Sequence, residues 1–224
     1  MRIRLTASLA ATLLTAFVCS VANADDSLPS TTRLAEWAQP IDAHYNLYEI
    51  TPTLYRSRQP DPGALPLLKT LGVLTVVDFI KESDSSWLTD PAVVQVQIPL
   101  QTVHVDDADM VRSLRAIQTA QAKGPVLIHC KHGQDRTGLV AAMYRIVVQG
   151  WSKQAALDEM EHGGYGDEDN LKHGIAYINN VDVAALKTAL NGGACSTSAF
   201  AGCAIKGWFE KTDIVGIPAL LWRL

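Results

Sequence analysis

The chain has 224 residues, 48% of them hydrophobic, and a formal net charge of −4. That length fits a single globular domain, and the acidic balance excludes a nucleic-acid-binding face built on excess Lys and Arg. After the first two dozen residues no apolar run is long enough to span a bilayer, which excludes stable membrane insertion of the body of the chain.

The first segment sets Arg2 and Arg4 ahead of an uncharged, mostly apolar stretch from Leu5 to Val21, and the small residues Ala22-Asn23-Ala24 follow. This is the pattern of a secretory signal peptide, with cleavage expected after Ala24. An N-terminal membrane anchor fits less well, because Thr6, Ser8, Thr12, Thr15 and Ser20 interrupt the stretch. Residues 25–224 are then one mature domain, and loss of Arg2 and Arg4 makes it more acidic.

Strand-like and helix-like segments alternate through the body. Thr53 to Ser57 reads as a strand, and Pro62 to Leu71 as a helix with Pro in its first turn. Val73 to Ile80 (VLTVVDFI) is a β-branched run suited to a strand covered on both faces, and Val93 to Ile98 alternates like another strand. Asp106 to Ala122 has helical spacing at Met110, Leu114 and Ile117. Val126 to His129 is a short buried strand, and Thr137 to Gln149 a helix ending at Gly150. Ser152 is placed to cap a helix reaching about Glu161, and the turn-rich HGGYGDEDN leads to helices over 171–179 and 181–190. The alternation predicts an α/β fold with a mostly parallel central sheet flanked by helices.

Between the strand ending at His129 and the next helix lies HCKHGQDRTG, residues 129–138. A strand-loop-helix junction of this kind lets successive N–H groups converge on one concavity, and the helix N-terminus adds partial positive charge, so the loop is a candidate anion site. Gly133 permits the tight turn. In that field the Cys130 thiolate is stabilised and becomes a nucleophile at neutral pH. Arg136, planar and always charged, can clamp two phosphoryl oxygens. Thr137 can donate its hydroxyl to the sulfur, and His129 can orient the cysteine backbone. The predicted reaction is two displacements at phosphorus through a covalent phosphocysteine. The candidate phosphate-binding residues are Lys131, His132, Gly133, Gln134, Asp135 and Arg136. No metal or cofactor is called for, since His129, Cys130 and His132 have no second ligand cluster to complete a metal site.

HCKHGQDRTG resembles the HCxxGxxR[ST]G signature of the cysteine-dependent protein tyrosine and dual-specificity phosphatases. LYRSRQP, VVDFIK, GLVAAMYRIVVQGW and HGGYGDED extend the resemblance to exported bacterial members over most of the mature chain. It implies a small dual-specificity-phosphatase fold in the periplasm, acting on phosphotyrosine and also phosphoserine or phosphothreonine proteins; a monomer is expected. The alternatives are a phosphoinositide or inositol polyphosphate phosphatase, and a phosphate-binding pseudophosphatase with weak turnover. Rhodanese-like sulfur transferases use a shorter loop between Cys and Arg.

The resemblance also implies a general acid on a loop upstream of the signature. The position that aligns with it is Val103, so the acid has to be sought elsewhere in this chain. Asp106 is the first candidate and Asp107 the second, with helix capping and first-turn charge as the competing role of both. Asp135 is the third. It lies inside the loop, as an acid does in the myotubularin lipid phosphatases, but an ionised carboxylate there would repel phosphate. Lys131 and His132 add positive charge at the rim, as in lipid phosphatases, or form a solvated edge. Asp167, Glu168 and Asp169 suit helix capping better than calcium, and His162, Tyr165 and His173 read as surface or packing residues. In an oxidising compartment Cys195 and Cys203 are expected to pair and close the tail over 194–224, with two free thiols as the alternative.

Overall fold

The chain divides into two units, residues 1–32 and 33–224. The computed structural model describes residues 33–166 and 170–192, all in the second. The expected signal segment, the acidic cluster 167–169 and the expected Cys195–Cys203 pair lie outside the described residues. Six strands form one sheet: β1 (Gln39–Asp42), β2 (Leu47–Thr51), β3 (Leu54–Arg58), β4 (Thr75–Asp78), β5 (Val94–Gln97) and β6 (Val126–Cys130). Their order is β1-β2-β3-β6-β4-β5. The first two pairings are antiparallel, and β6 runs parallel between β3 and β4, with β4 parallel to β5.

Six helices complete the described fold: α1 (Leu65–Thr70), α2 (Asp107–Gln121), α3 (Asp135–Val147), α4 (Lys153–His162), α5 (Lys172–Asn180) and α6 (Val183–Leu190). None is long and apolar enough to cross a membrane. The period of two along β6 divides its side chains between two cores. Val126, Ile128 and Cys130 join the large core under α2 to α6. Leu127 faces the smaller one, which Leu68 of α1 and Trp87 close. With both faces covered, β4 and β6 are buried at every residue, as their β-branched runs predict.

Element ends follow local hydrogen bonding. Ser152 Oγ accepts from Ala155 N and starts α4 as expected. The strand predicted over 73–80 is confined to 75–78, because Ile80 N donates to the Asp78 side chain instead of continuing the ladder. The segment 62–71 is a 3-10 turn followed by α1. Strands β1 and β2 are additions to the sequence reading.

Candidate active site

Parallel pairing carries β6 to the C-terminal edge of the sheet, where Cys130 is its last residue and is 2% exposed. It is a free thiol. Residues 131–134 then turn into α3, whose first residues are Asp135, Arg136 and Thr137.

Three consecutive carbonyls of that loop are tied from outside. Gln59 N donates to Lys131 O at 3.3 Å, Asn46 Nδ2 to His132 O at 3.2 Å, and Arg56 Nη2 to Gly133 O at 2.8 Å. In a planar trans peptide the N–H opposes the C=O, so the amides of residues 132, 133 and 134 are turned the other way. A run of inward amides at a helix N-terminus is an anion-binding concavity. The loop reaches this shape through Gly133, at φ +78°, where a Cβ would stand 2.6 Å from Arg58 N and 2.7 Å from Ser57 O. No other residue fits there.

Arg136 is half-buried, and its Nη1 donates to Phe79 O at 3.2 Å, just past the end of β4. Phe79 N in turn bonds His129 O, so one residue ties the end of β6 and the guanidinium to the same backbone. Thr137 is fully buried and its Oγ1 has no hydrogen-bond partner. Lys131 and His132 are exposed at the rim, and Gln134 is half-buried.

The three candidate acids differ sharply. Asp106 is exposed, and its Oδ1 accepts from Asp109 N at 2.9 Å as the N-cap of α2, the competing role named above. Asp107 accepts from Tyr177 OH at 3.0 Å. Burial and the acidic residues around it push the Tyr177 phenol far up, so the hydroxyl remains a donor to Asp107. Asp135 is half-buried; Oδ2 accepts from Thr102 Oγ1 at 2.8 Å, while Oδ1 is buried with no partner. Desolvation raises its carboxyl above the ordinary range, against the Thr102 bond and the charges of Arg136 and His173. Val103, next to Thr102, is 59% exposed.

Three supporting groups were invisible in the sequence. His129 points to the face of the sheet opposite Cys130, where its Nε2 meets Asp84 Oδ2 at 2.6 Å; Asp84 Oδ1 accepts from Trp87 Nε1 at 2.7 Å. Asp78, beside them, brings together three groups of metal-ligand type, but these bonds and those from Ile80 N and Gln97 Nε2 occupy all four carboxylate oxygens. Asn46, at φ +48° in the β1–β2 hairpin, bridges His132 O and Tyr165 O. Below the loop, Arg145 forms a bidentate pair with Glu159, which also accepts from Ala38 N and Tyr165 OH. Burial drives Glu159 up, yet these bonds and the Arg145 charge outweigh it and hold the carboxyl below its ordinary value. Tyr165, read as packing or surface, is thus part of the buried support.

A mixed sheet with a Cys-to-Arg anion loop at its parallel edge defines a class of phosphatase. The family model described as Swiss Army Knife protein, DSP-PTPase phosphatase domain, matches residues 54–174, and the chain belongs to this dual-specificity phosphatase family. It is 50% identical over 182 residues to the dual specificity protein phosphatase TpbA of Pseudomonas aeruginosa, covering 81% of this chain and 84% of that protein. The crystal structure of a Cys→Ser variant of TpbA with phosphotyrosine superposes with a TM-score of 0.70 at 51% identity, covering 72% of this chain and all of that one. The catalytic core of the PP-IP phosphatase Siw14 from S. cerevisiae shares the fold, with a TM-score of 0.55 at 21% identity over 66% of this chain and 93% of that one.

Proposed function

We propose that the chain hydrolyses phosphate monoesters on phosphotyrosine proteins, and on phosphoserine or phosphothreonine proteins, through a phosphocysteine on Cys130. Residues 1–24 direct its export to the periplasm, leaving 25–224 as the mature enzyme, which acts as a monomer. The observation that carries the chemistry is the tethering of the Lys131, His132 and Gly133 carbonyls, which turns the three following amides the opposite way, free to meet an anion. The phosphotyrosine bound by TpbA supports the substrate class.

In the first displacement the Cys130 thiolate attacks phosphorus, an S–P bond forms, and the P–O bond to the leaving group breaks. Arg136 and the amides hold the equatorial oxygens. The leaving oxygen takes the proton of Asp135. Water then attacks phosphorus, Asp135 accepts its proton, and the S–P bond breaks as the thiolate departs; the Thr137 hydroxyl, which has no partner in the resting site, is not bonded to the sulfur. Desolvation raises the Asp135 carboxyl, which favours its protonated form and weakens the earlier objection to an acid inside the loop. Asp106 is already committed to capping α2, which ranks it below Asp135.

Cys130→Ser is expected to abolish hydrolysis while tungstate still binds; unchanged hydrolysis would sink the mechanism. Asp135→Asn is expected to cut the rate on a phosphotyrosine peptide by about 100-fold and to remove the basic limb of its pH profile. p-Nitrophenyl phosphate, whose leaving group needs no proton, is expected to lose far less. An unchanged profile returns the role to Asp106 or Asp107. The exposed Lys131 and His132 beside Asp135 favour an inositol phosphate as the second reading, tested by comparing phosphate release from the peptide and from soluble inositol phosphates.

A further inference from the structure

Arg56 lies on β3 and is 2% exposed. Its one hydrogen bond runs to Gly133 O, its Nε has no partner, and no carboxylate among the described residues pairs with it. The Tyr165 ring stacks 3.4 Å from its Cζ. The carboxylate of this cluster, Glu159, has both oxygens engaged by Arg145, Ala38 N and Tyr165 OH. Burial lowers the proton affinity of Arg56, but a guanidinium remains charged at neutral pH.

A buried cation with no direct ion pair is costly, and the more distant charge of Glu159, already bonded to Arg145, offsets only part of that cost. Arg56 holds the carbonyl of Gly133, so the amide of residue 134 faces away from it. A carboxylate paired with Arg56 would cancel its field at the loop, and none is there.

We infer that Arg56 is a second cation of the anion site, a positioning residue that fixes Gly133 and whose charge is matched by the anion held in the loop. That anion is first the Cys130 thiolate and then the phosphoryl group. The inference rests on the loop 130–136 being the phosphate site, and it assigns the other half of the positive field to a residue that does not touch substrate.

The test compares Arg56→Met, which keeps the length and removes the charge, with Arg56→Lys, which keeps the charge and loses the planar fork. Tungstate affinity is measured in the Cys130→Ser background, and Cys130 alkylation by iodoacetamide is followed against pH in the otherwise unaltered chain. Arg56→Met is expected to weaken tungstate binding at least tenfold and to move the alkylation profile to higher pH. Arg56→Lys is expected to keep the profile of the parent protein while losing part of kcat. A folded Arg56→Met protein with parental affinity and alkylation overturns the inference. Should that variant not fold, an Arg56→Lys profile displaced to higher pH overturns it instead, because geometry rather than charge would then be at work. Hydrolysis surviving in Cys130→Ser alone would defeat the nucleophile assignment and leave the tungstate comparison standing.

Discussion

Asp84 has no exposure to solvent, and both its oxygens are committed, one to Trp87 Nε1 and one to His129 Nε2. Removing one member of such a buried pair strands the other, at a cost of about 3–5 kcal/mol. Asp84→Ala is therefore expected to lose about that much stability in urea denaturation, and Asp84→Asn, which still accepts from Trp87, distinctly less. Equal losses would show that the bond from Trp87 contributes nothing and that the charge on Asp84 carries the whole effect. His129 stands in the signature loop, and the sequence predicts that its ring orients the Cys130 backbone; instead Nε2 meets Asp84, and Nδ1 is buried with no hydrogen-bond partner. That partner is not legible in the sequence, because a Ser-rich turn 45 residues earlier gives no periodicity or motif that ties it to β6. The same holds for Phe79, whose contribution to Arg136 is a backbone carbonyl and carries no side-chain signature at all.

At the scale of elements, the alternation of strands and helices was readable because β4 and β6 are buried on both faces and carry continuous apolar runs, Val76-Val77 and Val126-Leu127-Ile128. The β1–β2 hairpin was not. QPID and LYEIT are short, polar at several positions and partly exposed, so neither the period of two nor a continuous apolar run stands out. Yet this hairpin brings Asn46 against the signature loop, in a left-handed conformation that asparagine tolerates better than most residues. The two carbonyls it bridges belong to the loop and to the 163–166 turn, so it fastens one to the other. Asn46→Gly keeps the backbone and loses both bonds. It is expected to lower kcat/KM on a phosphopeptide about tenfold with little change in Tm. Asn46→Ala has to hold a Cβ in the left-handed region as well, which costs about 1 kcal/mol more, and so is expected to lower Tm measurably. Parental kcat/KM in Asn46→Gly would mean that the tether at His132 does not shape the site.

For the whole molecule, the buried carboxyls decide how the fold responds to acid. Asp78 is fully buried at the end of β4, and desolvation pushes it up to about 6, against the Ile80 bond and the charge of His129. Asp84, His129 and Gln97 are the polar groups that face it. The folded protein therefore binds this proton more tightly than the unfolded chain, whose carboxyl sits near 3.8. Its stabilisation is fully present below about pH 4 and is lost as pH rises through about 6, the reverse of an ion-paired aspartate. The full swing is about 3 kcal/mol at most. Asp78→Asn carries no charge to desolvate, so it is expected to exceed the parent in stability at pH 7–8 and to converge on it near pH 4, measured by urea denaturation across that range. A constant difference between the two proteins from pH 4 to 8 would show that Asp78 is already ionised throughout, and that the polar cluster behind His129 solvates it as well as water does.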